Sequence, residues 1–248
     1  MFEAESRVLE RIREDDLVLD VGGWACPFNR ADWVIDAEPY DTRGYYAKIG
    51  MPASQGGNRE YFSRETWVVR DLCSREPWPF RDKQFDLSIC SHTLEDLRDP
   101  LFVCSELARV SKAGYIEVPS RLWESCRGVE HRQMAGLSHH RWLVEVGDNH
   151  LQFTQKYHLI HAEFDLALPI AVGRRLTLDD SIVRFYWTGS FTFAETTLHG
   201  RERIEDFLAR FVAARHRYSA PRYWWRWGAR LFQRAAGRVG RAMGRTIV

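Results

Sequence analysis

The sequence lacks several things that would have placed it quickly. No run approaches 18 apolar residues, so hydropathy gives no bilayer-spanning helix. The first segment, MFEAESRVLERIREDD, is polar and acidic without an apolar core, so no secretory signal is expected. The five cysteines (Cys26, Cys73, Cys90, Cys104 and Cys126) are odd in number, scattered, and never spaced as CxxC. That excludes a disulfide framework and a zinc ribbon, and it fits a reducing cytosol. No internal repeat is present, and the one biased stretch is the arginine-rich end.

What is present is unevenly distributed. From Arg215 onward there are nine arginines and no acid, so an overall net charge of +1 leaves the preceding body at −8. An acidic body disfavours nucleic acid as a substrate. Aromatic residues make up 13%, with ten tryptophans, which suits large apolar or sugar-stacking surfaces.

Short apolar runs, most of them ending at or near an acid or a turn, recur along the first half. Leu17-Val18-Leu19-Asp20-Val21 enters Gly22-Gly23, and Trp33-Val34-Ile35-Asp36, Trp67–Asp71, Phe85–Cys90 and Tyr115–Pro119 follow. Residues 4–14 and 100–111 have helical spacing, and Gly114 reads as a stop signal for the second helix. Residues 40–65 read as loop with some helix. Strands alternating with helical or loop segments imply βαβ units and a mostly parallel, Rossmann-like α/β sheet. After Pro119 the rhythm changes. LQFTQK, AEFDLAL and IVRFYWTGSFTFAETTL predict β-rich structure, and residues 201–217 an amphipathic helix. The expected organisation is a cofactor-binding domain over 1–150, a β-rich completion with a helix over 151–218, and a basic amphipathic tail over 219–248.

In an open parallel sheet a ligand sits beyond the carboxyl ends of the strands, near the switch in strand order. Asp20 with Gly22 and Gly23 allows close approach of backbone to a ligand. Asp36 lies where a carboxylate can accept hydrogen bonds from both ribose hydroxyls, and Asp71 where one can meet an adenine amino group. A dinucleotide enzyme would use the same acid after the second strand, but G-x-G-x-x-G is missing.

Residues 15–120 resemble the class I S-adenosylmethionine (SAM)-dependent methyltransferases, especially their broad type 11 group. The matching pieces are LVLDVGG (17–23), VIDAEPY (34–40), VRDLCSREPWPFRDKQFDLSICSHTLEDLRDP (69–100) and SELARVSKAGYIEVPS (105–120). The resemblance implies SAM as cofactor. It places Asp36 on ribose, Asp71 and Leu72 on adenine, Gly22 at the methionine end, and Ser91 and His92 beside the sulfonium. The usual GxGxG is replaced by Gly22-Gly23-Trp24-Ala25-Cys26, and the short stretch to Asp36 leaves little room for the usual first helix.

Methyl transfer needs in-line alignment and removal of the nucleophile's proton, for which histidine suits a hydroxyl acceptor. The candidate bases are His92 and, in the segment after the fifth strand, His131, His139 and His140. Glu130 beside His131 offers two metal donors, but no further carboxylate follows at ligand spacing, so no metal site is expected. Neighbouring His139 and His140 would point apart in regular structure. Trp123 or Trp142 is placed to stack on a sugar face.

In the tail, arginines at 222, 226, 230, 234, 238, 241 and 245 fall within one arc of roughly 160° on a helix, with Trp224, Trp225, Leu231 and Phe232 opposite. That is the pattern of a helix on an anionic membrane surface through residues 221–247, against packing on the acidic body or RNA binding. The expected protein is a cytoplasmic methyltransferase, peripheral on the inner membrane face, that O-methylates a glycan, glycolipid or other hydroxylated small molecule. The rival expectations are a catalytically idle SAM-binding-like scaffold in membrane-associated glycan assembly, and an RNA methyltransferase.

Overall fold

The computed structural model describes residues 5–217. The basic segment 219–248, with its expected membrane face, lies outside them. A short helix α1 (Glu5–Leu9) precedes the first strands, β1 (Val18–Val21) and β2 (Trp33–Asp36). Three 3-10 turns, at 40–42, 45–49 and 64–66, lead to β3 (Trp67–Val69), then β4 (Phe85–Ser91), α2 (Pro100–Val110) and β5 (Ser111–Pro119).

These strands join a six-stranded sheet in the order β3-β2-β1-β4-β5, closed at its far edge by a later strand antiparallel to β5. The first five are mutually parallel. The strand order reverses between β1 and β4, so the ligand crevice lies beyond their carboxyl ends. β1 is buried along its whole length between β2 and β4, as a central parallel strand with both faces covered must be.

α2 begins at Asp99, whose side chain accepts from the Phe102 amide at 3.2 Å, with Pro100 in the first turn. Val103, Cys104, Leu107 and Val110 form its buried stripe. The helix passes directly into β5 at Ser111, so Gly114 is not a helix stop. It lies within β5 opposite Trp187, and a Cβ there would come within 2.6 Å of the indole ring. The glycine leaves room for a cross-strand tryptophan.

After β5 come α3 (Arg121–Glu124) and an antiparallel hairpin of β6 (Trp142–Gly147) and β7 (His150–Gln155). α4 (Leu159–Ala162), α5 (Ile170–Gly173) and α6 (Leu178–Ser181) are single turns. β8 (Ile182–Thr188) is the antiparallel edge strand of the main sheet, and β9 (Thr192–Thr196) pairs parallel with β7 to complete a second, three-stranded sheet. The second sheet buries Val144, Leu151 and Phe153 in one core with α2 and the main sheet. AEFDLAL forms no strand. It makes a 3-10 turn whose Leu166 and Ala167 pack against Leu208 of α7 (Arg201–Ala213). No helix of the described residues is long and apolar enough to cross a membrane.

Candidate active site

The loop from Gly22 to Asp32 replaces the crossover helix that usually follows the first strand of such a sheet, in keeping with the short spacing to Asp36. Two strand-end carboxylates pin it. Asp20 accepts from the Phe28 amide at 2.8 Å. Asp36 accepts from the Trp24 amide at 3.0 Å and the Glu38 amide at 2.9 Å. The glycines serve this arrangement. Gly22 has φ +78° and abuts the Thr93 side chain, while a Cβ on Gly23 would collide with the Asp20 carboxylate. Burial pushes the Asp20 carboxyl up to about 7, against the Phe28 amide that favours its charge and with the Asp36 charge adding to the rise. Burial also raises Asp36, opposed by its backbone amides.

Asp71 stands two residues past β3 and is largely exposed. It accepts from the Cys73 amide at 2.8 Å and pairs with Arg98 at 3.1 Å. Leu72 is buried in the main core. At the end of β4, Ser91 points its hydroxyl at Glu117 from 3.4 Å.

His92 follows with φ +51°, a left-handed conformation that costs a non-glycine residue energy and persists only where neighbours enforce it. Its Nε2 lies 3.2 Å from Glu117 and its Nδ1 3.6 Å from Glu95. Burial opposes charge on the ring, yet the two carboxylates outweigh it and raise His92 to about 9. A carboxylate beside each nitrogen favours the imidazolium by charge. Glu117 also receives the Tyr115 hydroxyl at 2.5 Å. Glu95 is 1% exposed, and neither of its carboxylate oxygens has a hydrogen-bond partner.

His139 and His140 occupy a turn, not a strand or helix, and so do not diverge. Their rings meet edge to face at 4.6 Å and both address Asp96. His139 Nε2 is 4.0 Å from one Asp96 oxygen, and His140 Nε2 is 3.9 Å from the other. His140 Nδ1 donates to buried Glu124 at 2.9 Å, and Glu124 is held in turn by Lys156. Contact with Glu124 raises His140 against the opposing effect of burial. His131 is exposed, and its neighbour Glu130 accepts from the Ser138 amide at 2.7 Å. The structure therefore brings His92, His139 and His140 around Glu95 and Asp96, with His131 on the surface.

Sequence reasoning passed over Glu95, Asp96, Glu117 and Glu124. One signal was available: Glu117 sits within the apolar run Tyr115–Pro119, where an acid must have a partner to be tolerated.

The donor set fits SAM. A carboxylate offers about four lone-pair sites, so Asp36, with two backbone amides bound, keeps acceptors for a ribose diol. Asp71 has exposed oxygens for an amine. Glu117 is balanced by His92 and by Arg184 at 3.6 Å, while the buried oxygens of Glu95 lack hydrogen-bond partners, a setting that suits a sulfonium cation.

Residues 53–116 match the family described as a methyltransferase domain. Among solved structures, the methyltransferase complexed with the Haloferax volcanii activator Trm112 is similar at 18% identity and TM-score 0.34, over 60% of this chain and 71% of that one. A SAM-dependent methyltransferase from Aquifex aeolicus shows 20% identity and TM-score 0.31 over 47% and 64%. One from Mesorhizobium loti shows 15% and 0.32 over 63% and 65%, so the chain spans under two thirds of the length of these last two. No curated protein matches.

Proposed function

We propose that this chain, a class I SAM-dependent methyltransferase, transfers a methyl group to a hydroxyl oxygen of a small or glycan-like acceptor. The observation behind this reading is the set of histidines and carboxylates beyond β4 and β5. Bound SAM supplies an electrophilic methyl on a cationic sulfur. Asp36 and Asp71 would hold its ribose and adenine.

His92 is the proton acceptor. Glu117, 3.2 Å from Nε2, stabilises positive charge on the ring. An imidazole with a pKa near 9 is a strong base present in small amount at neutral pH. Glu95 lies between His92 and the Asp96–His139–His140 group, so the acceptor oxygen would be presented within reach of both. The exposed side of His139 and the ring of Trp142, half-buried at the start of β6, leave a solvent-facing approach for a polar acceptor.

The basic segment 221–247 adds a membrane-surface anchor to this reading, with cytoplasmic acceptors reached at an anionic leaflet. The arginine spacing in the sequence supports it.

Calorimetry with SAM and S-adenosylhomocysteine tests the cofactor, and Asp36→Ala should weaken binding at least tenfold. Absence of binding to either compound would overturn the enzyme and leave a scaffold. Untargeted profiling of a deletion strain for missing +14 mass pairs tests the acceptor. Loss of an N-methylated product would refute the hydroxyl assignment.

A further inference from the structure

We infer that Asp96, His139 and His140 form a binding site for a first-row divalent transition ion, of which zinc is the prototype. This goes beyond methyl transfer, because occupancy of the site does not depend on it. The three donor atoms lie within 4.8 Å of one another. Zinc and its neighbours sit about 2.0–2.2 Å from imidazole nitrogen and carboxylate oxygen, so donors across an ion stand up to about 4.2 Å apart. The His139–Asp96 separation of 4.0 Å and the His140–Asp96 separation of 3.9 Å are within that span. They are too long for direct hydrogen bonds. The remaining gap closes by turning Asp96 and His139, whose side chains are 40% and 58% exposed.

Two features separate this group from a chance cluster. The first is the support behind His140. Its Nδ1 proton is fixed on Glu124, which directs the Nε2 lone pair at Asp96, the arrangement that orients a metal-bound histidine. Glu124 is itself enclosed. Lys156 holds one oxygen, and Gly136, at φ +58°, passes so close that a Cβ would strike the carboxylate. The second is the set of orphaned acceptors. Asp96 Oδ1 and both oxygens of Glu95 are buried without hydrogen-bond partners. Glu95 is 1% exposed, adjoins Asp96 in sequence, and its charge acts on both Asp96 and His140. A buried acceptor without a donor is costly, and a cation at this cluster would satisfy Asp96 Oδ1, with the nearby negative charge of Glu95 favouring it.

Two imidazoles among three ligands favour a transition ion over magnesium or calcium. The solvent-facing side of His139 leaves an open position for an oxygen of a bound molecule. On the methyl-transfer reading, that oxygen is the acceptor hydroxyl, made more acidic by the ion.

The test uses the full chain stripped with chelator, then titrated with cobalt(II) by visible absorption and with zinc by calorimetry. One equivalent should bind, with zinc displacing cobalt. Asp96→Asn and His139→Gln should each weaken binding at least about tenfold, and Glu124→Gln by about 10–100-fold. The metal-free melting temperatures of Asp96→Asn and His139→Gln should stay at the wild-type value. His131→Gln and Glu130→Gln should bind like wild type. The inference is overturned if wild type takes up no zinc at about 100 µM, if Asp96→Asn and His139→Gln bind undiminished, or if magnesium displaces zinc. Binding is read without SAM, so a chain that takes zinc but not the cofactor sinks the methyltransferase reading and leaves this one intact.

Discussion

At the scale of single residues, the crevice is built from groups held away from their ordinary ionisation. His92 shows how such a group links stability to pH. Its pKa is about 6.5 in the unfolded chain and about 9 in the folded one, so between those values the native state binds more protons. The stability from its ion pairs is fully present below pH 6.5 and is lost as pH rises through 9. The span is worth about 3 kcal/mol, at about 1.4 kcal/mol per pH unit. Thermal melts of wild type and His92→Gln from pH 6 to 9.5 should show a decline in wild type across this window and a flatter curve in the variant. Parallel curves would refute the assignment. As the base, His92 also predicts that log kcat/KM rises with unit slope until about pH 9. A profile level from pH 6 upward would place the base elsewhere. Of these residues the sequence identified His92 but not the carboxylates that set its charge, because Glu117 lies on the next strand and Glu95, three residues on, is turned onto the ring by a loop with no regular period.

At the scale of elements, the long ordered signature between β3 and β5 turns out to be largely a clamp. Glu106 of α2 is buried. It accepts from the Trp78 amide at 2.6 Å and is paired with Arg109, which donates to the carbonyls of Trp78 and Phe80. Lys83 reaches from the same connection to the carbonyls of Ala108 and Gly189, each at 2.6 Å. PWPF and E-ARV therefore lock the β3–β4 connection onto α2 and the last strand of the main sheet. Glu106→Ala leaves the buried Trp78 amide without its partner and takes one of two carboxylates from Arg109, which keeps Asp82, and should cost about 1–3 kcal/mol in urea unfolding. A cost under about 1 kcal/mol would show that the clamp is dispensable. Gly114→Ala should cost about 1–3 kcal/mol by forcing Trp187 off its place, read as a lower denaturation midpoint at unchanged slope. The helix after residue 100 and four of the first five strands were legible to within a residue or two. The fifth was not, since Gly114 looks like a helix stop, and what it answers is a tryptophan 73 positions away.

At the scale of the whole molecule, a second sheet covers α2, and the basic end remains the one strongly cationic part of an otherwise acidic chain. A chain ended before Pro221 should keep SAM binding and lose flotation with anionic vesicles, while neutral vesicles capture neither form. Equal flotation of both forms would remove the membrane role. Cofactor binding should also stabilise the fold, by about 2.7 kcal/mol at a hundredfold excess over Kd. An unchanged melting temperature at that excess would contradict a preformed site.

The sequence by itself determined the parallel sheet, the three strand-end acids and the methyltransferase signature, because each depends on local periodicity or on residues close in the chain. It also determined that the first glycine loop would be short of a helix. Only the tertiary structure decided what the acids and histidines face. Asp20 and Asp36 hold a loop, His92 sits between two buried carboxylates, and His139 and His140 turn together onto Asp96. These relations join positions from a turn to tens of residues apart, and no periodicity in the chain encodes them. The fold sets them by bringing the ends of β4 and β5 beside the turn that follows α3.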